Sequence, residues 1–333
     1  MQGFFRDFFG LDLAGYDDLH ICRMLHAFVA VSHGRVVQVT EPLLEHCPLV
    51  RLLYRPDETG RTDLRDRIAA MTQEKIDTFG HFTARREILR EDIAVPYGAS
   101  EMMMFALRQG ILDAAVVVCD GAGTVVTARP EVVQGIGARM NGLFYTSPIP
   151  AVIARLEQAG AAVVSPDSAA IDQLAGVRRA AKLGHRRIAV TVNGYRGQGL
   201  TAIRDAERRL GLTVTVVVVC TTGASRSRIT EIRDEADMAW SCASAGVREL
   251  VGARSRVQVS TAIPVFAVTA RGVCFLAGYS STPEVFDGLD PAKQYLIAGN
   301  VKGTRVRMGN WEARLAEARL PVRSRNEPRP LTE

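Results

Sequence analysis

The sequence has no Cys-x-x-Cys pair, no HxxxH or HExxH set, and no apolar run of membrane-spanning length. Without paired cysteines a zinc ribbon is excluded. Six widely spaced cysteines in 333 residues are also not the framework of a small secreted disulfide scaffold. Without histidine pairs, His20, His26, His33, His46, His81 and His185 read as surface or core side chains. VTVVVVC is strand-length and too short for a bilayer. The N-terminus, MQGFFRDFFGLDLAGYDD, carries acids and has no basic start, continuous apolar core or cleavage site. A cytoplasmic protein without a signal peptide is therefore expected, with no membrane partner. GAGTVV lacks the third glycine of a dinucleotide fingerprint, since Val126 takes its place, and the last glycine of GIGARMNG comes too late. No nucleic-acid motif is present. The net charge of +5 comes from scattered arginines, grouped only at Arg204, Arg208, Arg209 and at Arg226 and Arg228. That distribution favours small anionic ligands or plain solubility over a nucleic-acid stripe.

What is present is an ordinary globular composition, 47% hydrophobic and 23% charged. The chain is organised around residues 114–150. An apolar run from Ala114 to Val118 ends in Cys119-Asp120 and a Gly-Ala-Gly turn. Such a run reads as a buried strand of a parallel sheet, whose carboxyl end is where open α/β folds bind ligands. Three segments repeat the theme: Gly110 precedes Cys119, Gly184 precedes Asn193 and Gly211 precedes Cys220, each by nine positions. Each reads as a helix-stopping glycine, a buried strand and a glycine-containing turn. A further strand is expected over Asp237 to Ser241, followed by Cys242 and the helix ASAGVRELVGA. AIPVFAVT and GVCFLAGY read as more strands. A hairpin turns near His33-Gly34, and Arg61 to Phe79 has helical spacing. Ser100 caps a helix whose Met102, Met103 and Met104 read as core filler. Ser147, with Pro148 behind it, caps another, and Asp172 a third.

The expected fold is thus α/β, a mainly parallel sheet flanked by helices, with an N-terminal β-containing subdomain. The expected division is 1–94 for a β-hairpin and helical subdomain, 95–289 for the α/β core, and 290–333 for a partly disordered extension. Residues 1 to about 18, amphipathic and aromatic-rich, read as a segment that packs on the body or on a partner. A homo-oligomer stays open.

Cys119, Cys220 and Cys242 all fall at expected carboxyl ends of strands. Converging thiolates suit a soft metal or an iron–sulfur cluster, whereas a single buried cysteine is a small hydrophobe. Cys22 and Cys274 read as core. Asp120 reads either as a general acid or base or as the cap of the following turn. Arg139, between glycines, is a candidate bidentate anion clamp. Gln134, Thr146 and Ser147 lie beside it in the chain, the last two at a helix start that offers free N–H groups.

The strings CDGAGTVVTARPEVVQGIGARMNGLFYTSPIPAVI, HCPLV, IDQLAGVRRA, TTGAS and SCAS resemble the family called methanogenesis marker protein eight, over about residues 25 to 270. That family is typical of methane-making archaea, while the Ala- and Arg-rich flanks here look bacterial. The resemblance implies ligands at Cys47, Cys119 and Cys242; Cys220 stands where it implies histidine and is the rival. Coenzyme M is a need shared by methanogens and a few bacteria. The resemblance therefore implies an enzyme that installs the thiol of coenzyme M on sulfoacetaldehyde, a small sulfonated aldehyde. A [4Fe–4S] cluster or a cysteine persulfide would deliver sulfur, Cys119 and Asp120 would act in catalysis, and Arg139, Gln134, Thr146 and Ser147 would hold the sulfonate. Two other readings stand beside it: a non-catalytic assembly protein for a metallocofactor system, and an α/β enzyme acting on a small phosphorylated metabolite.

Overall fold

The structure, a computed structural model, describes residues 15–54 and 63–330 together with Arg6. The aromatic N-terminal segment lies almost wholly outside the described residues. In chain order the first elements are β1 (His20–Met24), β2 (Ala27–Ser32), β3 (Arg35–Val39), β4 (Leu44–His46), α1 (Pro48–Tyr54), α2 (Leu64–Phe79) and α3 (Ala99–Arg108). Next come β5 (Ala114–Cys119), β6 (Gly123–Thr127), α4 (Pro130–Gly137), β7 (Gly142–Thr146), α5 (Pro150–Gln158) and β8 (Ala162–Val163). The second half runs α6 (Gln173–Lys182), β9 (Arg187–Asn193), α7 (Leu200–Leu210), β10 (Thr213–Val219), α8 (Arg226–Glu235) and β11 (Met238–Trp240). It closes with β12 (Val257–Val259), β13 (Val265–Ala267), α9 (Ala270–Ala277), α10 (Glu284–Asp287), β14 (Tyr295–Ala298), β15 (Thr304–Met308), β16 (Trp311–Glu317) and β17 (Arg329–Pro330).

The fold is α/β, with a large sheet of order β15-β16-β14-β12-β13-β11-β10-β9-β5-β6-β8. Its centre, β11-β10-β9-β5, is parallel. Antiparallel β6 and β13 continue it on either side, so the whole sheet is mixed. Parallel strands covered on both faces need apolar side chains in both directions. β5 supplies them: Ala115, Val117 and Cys119 face the layer containing Val132 of α4 and Val152 of α5. Ala114 and Val116 face the layer containing Val177 of α6 and Ile203 of α7. Gly176 lets α6 lie directly on β5, since a Cβ there would stand 2.4 Å from Val116 Cγ1. Asn193 and Val219 pair in register, and Cys119, Asn193 and Cys220 stand at the carboxyl ends of neighbouring parallel strands, as the repeated spacing leads one to expect of a parallel sheet.

A second sheet, β3-β2-β1-β7, is antiparallel and takes its fourth strand from the middle of the chain. The hairpin turns at His33 and Gly34, both at positive φ. Helix α2 packs against this sheet and is capped by the Asp63 carboxylate, which accepts from the N–H groups of Arg65 and Asp66. Asp172 caps α6 as expected, accepting from Ala175 N–H at 2.9 Å. Met102, Met103 and Met104 are fully buried.

Several sequence expectations are corrected. GVCFL is helix α9, not a strand; Thr269 caps it, and Cys274 is exposed rather than core. A short apolar run does not distinguish the two conformations. The cap of α5 is Ile149 with Pro150 in the first turn, two residues beyond Ser147. The residue capping α3 is Gly98, so Ser100 already lies inside the helix. ASAGVRELVGA is helical from residue 245, as expected, but as a π-helical turn over Val247–Val251 that runs into a 3₁₀ turn over Gly252–Arg254 rather than a regular α-helix. The stretch set apart as 290–333 contributes β14, β15 and β16 to the large sheet, and β17 pairs with β4. Among the described residues no helix is long and apolar enough to cross a membrane.

Candidate functional site

The carboxyl ends of β9, β10 and β11 lie side by side, and the small sheet abuts them. Cys220 follows β10 directly and Cys242 lies two residues beyond β11. Both hold left-handed backbone, with φ of 57° and 46°. Non-glycine residues persist in that region only where the surroundings fix them. Here the loops are tied together. Thr221 Oγ1 donates to the carbonyls of Trp240 and Ser241, each at 2.7 Å, and Thr222 Oγ1 accepts from Ala243 N–H. Arg248 donates to the Cys242 carbonyl at 2.7 Å.

Arg23, from β1, enters this edge. It pairs across the small sheet with Gly142, whose added Cβ would stand 3.3 Å from Cys220 Sγ. Its Nη2 donates to the carbonyls of Cys220 (3.2 Å) and Thr222 (3.1 Å). Its guanidinium stacks over Tyr195 at 4.4 Å and Phe144 at 5.5 Å. Cys47, in the turn before α1, completes the group. Burial pushes the Cys220 thiol up to about 12, with Cys242 and Cys47 adding to the shift and Arg23 opposing it. Burial, with a contribution from Cys242, also raises Cys47. Beside them burial, with Arg23, lowers His26 to about 4. Gly223, at φ 78°, leaves room for that ring; a Cβ would stand 2.4 Å from His26 Nε2. Cys47, Cys220, Cys242 and Arg23 thus share one electrostatic environment. Among the described residues no three His, Cys, Asp or Glu side chains close around a single metal ion.

Cys119 and Asp120 belong to a different environment. The alternation of β5 turns Cys119 into the apolar layer, where burial and the Asp120 charge raise its thiol. The other groups acting on it are Arg86 and Arg155, not the cysteines at the β10 and β11 ends. Asp120 is fully buried. It accepts from Arg86 Nε at 2.8 Å and from Phe82 N–H at 2.5 Å, and His81 Nδ1 lies 3.4 Å away. Although burial opposes ionisation, Arg86 and His81 hold its carboxyl well below the ordinary range. Lys75, buried nearby, donates to Asn141 at 3.0 Å.

The four residues expected to hold an anion are engaged elsewhere. Arg139 stacks on Phe79 at 4.5 Å, with Asp92 3.8 Å away. Gln134 donates to the Asp92 carbonyl and to Glu101. Thr146 Oγ1 lies 2.6 Å from His20 Nδ1 and accepts from Gly121 N–H, while Ser147 Oγ accepts from Leu19 N–H. Asp18 completes this chain at 2.8 Å from His20 Nε2. Sequence reasoning missed Arg23 and His26. Arg23 is the single charge inside the strand HICRM, which is the signal that could have found it.

A curated relative, the "Uncharacterized protein MJ0054" of Methanocaldococcus jannaschii, is 36% identical over 259 residues, covering 77% of this chain and 88% of its own. The family model described as "Uncharacterized protein conserved in archaea (DUF2099)" matches residues 20–278. That span includes Arg23, Cys47, Cys220 and Cys242, and the chain belongs to this archaeal family.

Proposed function

We propose that this protein is a thiol-forming enzyme, the member of the methanogenesis marker protein eight family that installs the sulfur of coenzyme M on a small sulfonated aldehyde. The observation that carries the reading is Cys220 and Cys242 beside Arg23 at the carboxyl edge of a parallel sheet, with Cys47 close enough to both thiols to act on them. Ligands bind at that edge in open α/β folds. The overall change is aldehyde plus hydrogen sulfide plus two protons and two electrons, giving thiol plus water. An external low-potential two-electron donor supplies the electrons.

Three cysteines that act on one another without closing around one ion favour an iron–sulfur cluster over a single ion. Thiolates around one ion stand about 3.8 Å apart, from tetrahedral geometry and metal–sulfur bonds of about 2.3 Å. A cluster sets several irons between its thiolates, so they stand farther apart. Cys220 and Cys242, with Cys47 as third ligand, would hold it, and Cys220 replaces Cys119 in the set. When bound, such a cluster supplies an iron without a protein ligand, a soft acceptor for a sulfur donor. A free thiol raised to about 12 is almost wholly protonated at neutral pH and a weak persulfide carrier. Coordination removes that proton outright, which favours the cluster over the persulfide. The chain's own part is to hold the thiols on strained, cross-tied loops and to keep the edge half-buried.

Anaerobic purification tests this. The expected product is brown, absorbs near about 400 nm as thiolate-ligated clusters do, and carries iron and sulfide in equal amounts. It should convert sulfoacetaldehyde, sulfide and reductant to 2-mercaptoethanesulfonate. A colourless protein that takes up no iron on reconstitution overturns the reading.

A further inference from the structure

Among the described residues four arginines are buried: Arg23, Arg86, Arg204 and Arg248. Three have a carboxylate within reach. Arg86 Nε lies 2.8 Å from Asp120 and Arg204 Nη2 2.8 Å from Asp237, while Arg248 Nε lies 3.4 Å from Glu327. Arg23 is only 7% exposed and is the one of the four without such a partner. Its Nη2 is held by two carbonyls, and its Nη1 is buried with no hydrogen-bond partner. The acidic groups acting on it are the thiols of Cys220 and Cys242 and the phenol of Tyr195, all weak acids. A buried cation with no carboxylate is costly unless something anionic joins it. The same protein supplies a carboxylate at each of its other three buried guanidiniums.

We propose that Arg23 is the receptor for a small oxyanion, a sulfonate or carboxylate head group, which Nη1 binds beside Tyr195, Cys220 and Cys242. The stack of the guanidinium on Tyr195 and Phe144 fixes the direction of its donors before any ligand arrives. A planar donor set so fixed suits the geometry of sulfonate and carboxylate oxygens. The geometry moves this role from Arg139, which lies with Asp92 on Phe79. The anion's place as head group of the reacting aldehyde rests on the thiol-site reading; its binding at Arg23 does not.

The test is calorimetric titration of the full-length protein with ethanesulfonate, alongside propionate and the uncharged dimethyl sulfone, for wild type, R23Q and R139Q. Iron content is measured in parallel. Wild type is expected to bind ethanesulfonate and not dimethyl sulfone. R23Q should weaken it by about tenfold or more, the worth of one charge-assisted hydrogen bond, and R139Q should leave it unchanged. Propionate binding with equal affinity makes the site a general oxyanion receptor; weaker propionate binding makes it selective for sulfonate. Unchanged affinity in folded R23Q, or no ethanesulfonate binding by wild type, overturns the proposal even where iron is retained. Iron-free wild type with Arg23-dependent binding leaves the anion site standing and removes the cluster reading. Should R23Q not fold, R23K replaces it, because a point charge cannot hold both carbonyls and an oxyanion; wild-type affinity in R23K overturns the proposal.

Discussion

Cys220 and Cys242 end neighbouring parallel strands in the same left-handed backbone conformation, φ 57° and 46°. A residue with a Cβ pays about 1–2 kcal/mol there, and glycine does not. Urea denaturation of the metal-free protein should therefore find C220G more stable than C220A by about 1 kcal/mol. Both variants should bind no iron. Equal stability of the two would mean that the strain is not present in solution.

Cys119 and Cys220 should behave oppositely on replacement by serine. C220S, C242S and C47S are expected to lose iron and activity together. C119S should keep its iron, because its thiol lies in the apolar layer on α4 and α5. C274S, on an exposed helix position, should match wild type. Iron and sulfide analysis after anaerobic reconstitution reads the result.

Acid should destabilise the fold through two histidines. Burial together with Arg86 lowers His81 to about 3, and burial together with Arg23 lowers His26 to about 4. Both rings titrate near about 6.5 when unfolded. Their folded values are depressed, so their contribution is complete above about pH 6.5 and is lost as pH falls through that value toward the folded ones. Urea midpoints measured from pH 8 to pH 4 should be flat at first and then decline. H81Q should reduce the slope by up to one proton, about 1.4 kcal/mol per pH unit. An undiminished slope in H81Q would assign the proton uptake to other groups.

Asp120 and Arg86 form a buried pair whose separation is costly. D120A leaves the guanidinium without its carboxylate and should destabilise by about 3–5 kcal/mol. R86M combined with D120A removes both charges and should recover part of that loss. Thermal unfolding of the single and double variants measures the recovery.

Much of the architecture was legible in the sequence because buried parallel strands announce themselves. The runs after Gly110, Gly184 and Gly211 are apolar on both faces and stop at turn residues, and they became β5, β9 and β10. Capping chemistry was legible where the side chain itself makes the bond, as at Asp172. It failed at Ser147 and Ser100, where backbone geometry set the helix start two residues away. The choice between Cys119 and Cys220 was not legible. Position at a strand end does not say which way a thiol points; the alternation of β5 turns Cys119 inward, and the left-handed turn at Cys220 breaks the alternation of β10. Arg23 was hidden for another reason. Its partners are carbonyls 197 and 199 positions away, and no local pattern encodes them.

That separation has a consequence for biosynthesis. Arg23 and Cys47 leave the ribosome long before Cys220 and Cys242 exist. The 197 residues between Arg23 and Cys220 take about 10–40 s to make at about 5–20 residues per second. During that interval the first strand of the small sheet also awaits β7, its pairing neighbour. The thiol group can form only after release of most of the chain. Any metal it receives must be loaded after Cys242 has been made, and a message truncated before Cys220 yields a product that lacks both of the cysteines beside Arg23.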